Sequence, residues 1–231
     1  MWRLYDARGK RLEPVFPVRG PVLRVQLCGD DLRTHVVADI VRRVAERQRL
    51  RVVQRQGVKQ EEASTLNIRP PEDIGEPGPE AIDVHVGEVD CAEHERVSVW
   101  IASGRMRLDN GLAGVVAAGL DPLAVRLDLL RRHYREPAEL TWDTLREAQS
   151  VLERTRGLVA RWAESPSAPL PAERIRPALE ALDDDLDTER ALRVLFDLEH
   201  DGETAPGAKF EAAAYLDQVF ALDLTREVGR R

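Results

Sequence analysis

Four residues in this chain could together bind a metal, and they fall in two places. Cys28 stands just before Gly29-Asp30-Asp31, and Cys91-Ala92-Glu93-His94-Glu95 places a cysteine and a histidine three positions apart. A zinc ion needs about four N, S or O ligands in tetrahedral array, so Cys28, Cys91, His94 and Glu95 form a conceivable set. The Cys-x-x-His spacing alone is a weak signal, and the plainer reading is two buried cysteines that pack as small apolar groups. The expectation is therefore no bound metal. The Asp183-Asp184-Asp185 run with Asp187 reads as a solvated acidic turn that favours the start of the following helix. Arg105 and Arg107 are the candidate phosphate contacts. No P-loop, no GxGxxG and no nucleophile elbow is present.

These residues must be positioned by regular elements. Val22–Leu27 reads as a strand. Val36, Val37, Ile40, Val41 and Val44 recur at helical spacing, with Arg42, Arg43, Glu46 and Arg47 expected opposite them. Leu50–Val53 returns to strand composition, so residues 22–54 form a βαβ unit. Its helix starts near Asp31, with Asp30 or Asp31 as the cap. A helix N-terminus after a strand binds phosphate through free amides. Here two carboxylates occupy that point and repel an anion. Residues 55–80 read as a proline-punctuated loop, and 81–86 and 97–101 as further strands. Beyond Gly111 the period is helical, with helices expected over about 122–134, 142–163, 172–182, 188–200 and 208–220. The fold class expected is α/β, a reduced Rossmann-like sheet over residues 1–115 followed by an α-helical bundle over 116–231. Trp100, Trp142 and Trp162 are assigned to the core or to domain junctions, and His35 to a helix surface or half-buried position.

Charge is uneven. Residues 1–135 carry 22 Lys+Arg against 20 Asp+Glu, and residues 136–231 carry 12 against 21. Because nucleic-acid affinity comes largely from neutralising phosphates, the acidic second half disfavours a grip on nucleic acid. No apolar run reaches the ~20 residues of a membrane span, and the first residues lack a signal-peptide core. A cytoplasmic location with no membrane association is the expectation.

The order of motifs resembles the class I cysteine-activating ligases, the cysteinyl-tRNA synthetases and the mycothiol-pathway cysteine ligase. The start through Cys28-Gly29 is similar to the family's first strand, and Ile82-Asp83-Val84-His85-Val86-Gly87 to its Phe-Asp-Ile-His-Gly-Gly segment. Val99-Trp100, His133-Tyr134-Arg135 and the Asp183–Leu192 stretch resemble further family segments in order. The resemblance implies a nucleotide-binding domain, an anticodon-binding-type helical bundle, ATP and zinc as ligands, and Cys28, His85, His94 and Glu95 as remnants of the substrate and zinc site. The departures matter as much. The HIGH tetrapeptide and the Lys-Met-Ser-Lys-Ser loop are absent, Gly104–Gly111 standing near the latter's place. The family's second zinc cysteine has no counterpart, its histidine falls at Glu93 and its glutamate at Val97. The expected function is a non-catalytic binding or regulatory module that engages a protein partner or small-molecule ligand. The alternative is an ATP-dependent, aminoacyl-tRNA synthetase-like ligase that still activates cysteine or an analogue. ATP or zinc enters only if the family site survives.

Overall fold

The computed structural model describes residues 2–18, 20–56, 61–74, 81–87 and 97–230, and every absence noted below concerns those residues. Cys91, His94 and Glu95 lie outside them. The chain divides into two compact units.

The first unit comprises residues 1–107, 133–139 and 183–186. Its centre is a parallel sheet of five strands, β3 (Val22–Leu27), β4 (Arg51–Gln56), β5 (Asp73–Ile74), β6 (Ile82–Val86) and β7 (Val97–Ile101), in the order β5-β4-β3-β6-β7. The register aligns Val25 with Val84 and Val84 with Val99, and likewise Leu27, Val86 and Ile101. One face of the central strands is thus continuously apolar, as a buried parallel sheet requires. The other face carries Gln26, His85 and Trp100 in a row across the same strands.

Helix α1 (Leu32–Arg47) lies against β3, β4 and β6. Its stripe of Val36, Val37, Ile40, Val41 and Val44 is buried as the spacing predicts. Two details of that helix differ from the sequence reading. Arg43 is buried as well, because its guanidinium donates to Asp39 at 2.7 Å and to the Asn67 carbonyl at 2.8 Å. His35 is 1% exposed, not a surface histidine.

The stretch expected as a loop contains regular elements. It holds a 3₁₀ turn (Glu61–Leu66), β5, and two buried anchors, Leu66 and Ile68. A hairpin that the apolar pattern did not reveal, β1 (Arg3–Asp6) with β2 (Arg11–Pro14), pairs antiparallel ahead of the sheet. Asp6 closes its turn by accepting from the Gly9 amide, and it also accepts from the Trp100 amide at 2.8 Å.

The second unit comprises residues 108–132, 140–182 and 187–231. It is helical: α2 (Gly111–Ala117), α3 (Pro122–Leu130), α4 (Trp142–Ala163), α5 (Ala172–Asp183), α6 (Thr188–Asp197) and α7 (Pro206–Phe220). The starts follow from local chemistry. Asp121 caps α3 ahead of Pro122, Thr141 and Thr144 form a reciprocal capping box on α4, and Asp187 caps α6. Two buried arginines hold the chain after α7. Arg126 donates to the Phe220 carbonyl at 2.6 Å, and Arg156 to the Leu222 carbonyl at 2.7 Å. Short strands β8 (Met106–Leu108) and β9 (Ala138–Leu140) pair with each other.

Helix α3 ends at Leu130, four residues before the expected end near 134. The reason is tertiary. The His133 and Glu136 carbonyls are acceptors for the buried guanidinium of Arg33, and the Tyr134 carbonyl accepts from the Gly104 amide at 2.8 Å. Those carbonyls would be unavailable inside a continuing helix.

Candidate functional site

The strand order reverses between β3 and β6, since β4 follows β3 to one side and β6 adds to the other. Ligands of open α/β sheets bind outside the carboxyl ends of the strands at such a switch point. Here that point holds Cys28, Gly29, Asp30 and Asp31 after β3, and Gly87 after β6. The two strand ends approach closely. The Cys28 amide donates to the Val86 carbonyl at 2.9 Å, and a Cβ on Gly87 would lie 2.2 Å from the Cys28 oxygen. With φ at +146°, Gly87 also holds a conformation that side chains disfavour.

Only four residues connect β3 to α1. Asp31 serves as the cap, its carboxylate accepting from the Arg33 amide at 2.8 Å. The helix N-terminus, which in this fold class receives a phosphate, is thus already satisfied in part by a carboxylate. Asp30 adds a second negative group beside it.

Arg33 turns inward, 1% exposed, and binds the His133 and Glu136 carbonyls. Thr34 and Ser103 share a hydroxyl–hydroxyl hydrogen bond of 2.7 Å. This brings the end of β7 and the following Gly104 to the first turn of α1. Sequence reading named neither Thr34 nor Ser103, because isolated hydroxyl residues carry no spacing signal.

His35 lies beneath the turn. Its Nε2 is buried without a hydrogen-bond partner, while its ring contacts the Gly29 backbone. Burial lowers the imidazole's proton affinity below its ordinary 6.5, with Gly29, Asp31 and Asp30 acting in the opposite sense. A histidine held neutral in the fold charges more readily when unfolded. The stability it supports is complete above 6.5 and is lost as pH falls below that value. His35→Gln should therefore lose less stability than the natural protein between about pH 7.5 and about pH 5.5, read from urea midpoints at each pH. Equal losses in the two proteins would exclude His35 as the source.

The other sequence-predicted residues fall as follows. Cys28 is half-buried, at the end of β3. Among the described residues no three His, Cys, Asp or Glu side chains cluster as a metal site. His85 is fully buried on β6, its ring 4.0 Å from the Trp100 ring, and the Arg8 guanidinium lies 3.4 Å from the Trp100 centroid. Arg105 is exposed, two residues beyond Ser103, and its carbonyl accepts from the Ala138 amide. Arg107 lies 3.6 Å from Glu139, both largely exposed, an arrangement that adds little stability. Trp100 and Trp162 are buried, as expected for core residues.

The acidic turn is the sharpest correction. Asp184 is half-exposed and pairs with Arg3 at 2.6 Å, which suits a solvated turn. Asp185 is 6% exposed and works as a hub. It accepts from the Tyr5 amide at 2.7 Å and the Tyr134 hydroxyl at 2.6 Å, with Arg135 at 2.9 Å and His133 at 3.5 Å. Burial, then the Asp185 charge, push the Tyr134 hydroxyl far above its ordinary value, so it stays protonated as the donor.

Curated proteins similar to this chain share one theme. A cysteine--tRNA ligase of Halorhodospira halophila is 38% identical over 127 residues, covering 48% of this chain and 26% of the relative. One from Parvibaculum lavamentivorans is 39% identical over 95 residues, 40% of this chain and 20% of the relative. The L-cysteine:1D-myo-inositol 2-amino-2-deoxy-alpha-D-glucopyranoside ligase of Streptomyces griseus is 49% identical over 74 residues, 32% of this chain and 17% of the relative. The matched part of this chain thus spans about a quarter or less of the length of these three relatives. No family model matches. With a Rossmann-like parallel sheet whose strand β3 ends before Cys28-Gly29 and a helical second unit, these identities make the chain a relative of the cysteine--tRNA ligases over up to about half its length, and of the L-cysteine:1D-myo-inositol 2-amino-2-deoxy-alpha-D-glucopyranoside ligases over about a third.

Proposed function

We propose that this chain is a synthetase-like protein that does not activate cysteine with ATP and serves as a binding or regulatory module. The observation that carries this reading is the four-residue turn from β3 to α1, in which the Asp31 carboxylate takes the Arg33 amide. A nucleotide phosphate would have to displace that carboxylate and then sit beside Asp30 and Asp31. The sequence supplies no HIGH tetrapeptide and no lysine loop to offset the repulsion. The exposed cations nearest in sequence to Ser103 are Arg105 and Arg107, and Arg107 faces Glu139. Guanidinium groups differ from a lysine ammonium as point-charge phosphate contacts. The acidic balance of residues 136–231 weighs against tRNA as the ligand. The reading assigns no cofactor and a cytoplasmic location.

Titration calorimetry with Mg-ATP, alone and with cysteine present, tests it. No saturable heat is expected up to about millimolar nucleotide, which corresponds to less than about 4 kcal/mol of binding. Saturable ATP binding strengthened by cysteine would support the ligase reading instead.

A further inference from the structure

The second unit carries an open groove of about 750 Å³ between α5, the end of α6 and the connection to α7. Its apolar lining comes from Pro177, Val194 and Leu198. Around it stand Asp197, Asp201 and Glu203. One cation of the groove, Arg174, is already committed, pairing with Glu203 and lying 3.4 Å from Asp201. The Thr204 hydroxyl, then the Glu203 amide, hold the Asp201 carboxyl down to about 2, so it stays charged. Asp197 is exposed and makes no ion pair among the described residues. The lining therefore carries three carboxylates against one arginine.

From this we infer that the groove docks a basic peptide segment of a partner protein that presents an apolar side chain to Pro177, Val194 and Leu198. The physical case has two parts. An open apolar depression with charged walls suits an extended chain better than a small molecule, which is usually enclosed over most of its surface. Charge of one sign around it selects the opposite sign and speeds encounter. The same walls exclude phosphate-bearing partners, which separates this inference from nucleic-acid binding. It stands apart from the proposed function, since it concerns only the second unit and is unaffected by whether the first unit activates cysteine.

The test uses the full chain and a fluorescein-labelled peptide, Arg-Arg-Leu-Arg-Lys-Leu-Arg-Arg, followed by fluorescence anisotropy. Saturable binding is expected, weakening at least about tenfold between low and physiological salt as the walls are screened. Asp197→Lys combined with Glu203→Lys should weaken it at least about tenfold more. Val194→Asp should weaken it without adding positive charge, which separates the apolar contact from the electrostatic one. Asp143→Lys, a reversal at a 95% exposed site on α4, should change it less than about twofold. Each outcome decides the matter. Absence of saturable binding overturns the inference. So does equal weakening by Asp143→Lys, which would mean diffuse attraction to an acidic surface. Equal binding of the peptide with Glu replacing each Arg and Lys would overturn it too.

Discussion

Cysteine-dependent exchange of labelled pyrophosphate into ATP is expected to remain at the level of a no-protein control. Adenylate formation needs the ATP phosphates held and their developing charge met by preorganised donors. Loss of a single such donor typically costs about 10²–10³ in rate, roughly 3–4 kcal/mol. On the proposed reading two whole motifs that supply such donors are lost, so even partly additive losses bring the rate to background. The local field points the same way. Asp31 occupies the α1 N-terminus as its cap, and Asp30 stands next to it. Exchange above the control that is abolished by Arg105→Ala or Arg107→Ala would show that these arginines had taken over the lost role, and the proposed function would fall.

Asp185→Ala is expected to destabilise the first unit by about 2–3 kcal/mol, the cost of leaving the buried Tyr5 and Tyr134 donors without their charged acceptor. The substitution strips acceptors from the Tyr5 amide and the Tyr134 hydroxyl, and it leaves Arg135 beside an uncharged site. Asp185 also has φ of +58°, a conformation that aspartate tolerates better than alanine. Asp185→Asn keeps an acceptor and should cost less, about 1–2 kcal/mol. Asp184→Ala, which breaks only the exposed pair with Arg3, should change stability by less than about 1 kcal/mol. Urea denaturation followed by tryptophan fluorescence and by circular dichroism measures all three. A cost for Asp185→Ala no larger than for Asp184→Ala would show that the hub has no energetic weight.

Much of the architecture is legible without coordinates because it rests on local periodicity. The α1 stripe, the parallel strands from Val22 and Ile82, and the caps at Asp31, Asp121 and Asp187 each follow from residues a few positions apart. The place where ligands of this fold class bind is legible too, since a strand ending at Cys28-Gly29 and running into a capped helix marks it. The β1–β2 hairpin escaped because its strands are only four residues each and mostly unburied on β2. Its stabilisation comes from distant partners, Asp6 with Trp100 and Tyr5 with Asp185, that no short window contains.

What the amino-acid order determined by itself is the βαβ unit, the strands from Ile82 and Val97, the main helices of the second unit and the resemblance to cysteine-activating ligases. What only the tertiary structure decided is which polar residues are buried and what they hold. Residues 133–139 and 183–186 join the first unit although helical sequence surrounds them on both sides. Asp185, expected in a solvated turn, binds Tyr5 and Tyr134, and Arg33, in the first turn of α1, turns its side chain inward to the carbonyls of 133 and 136. The physical reason is common to all of these. A buried charge is tolerated only where several partners from remote segments converge to replace its water, and that convergence is a property of the folded chain, not of any stretch of sequence.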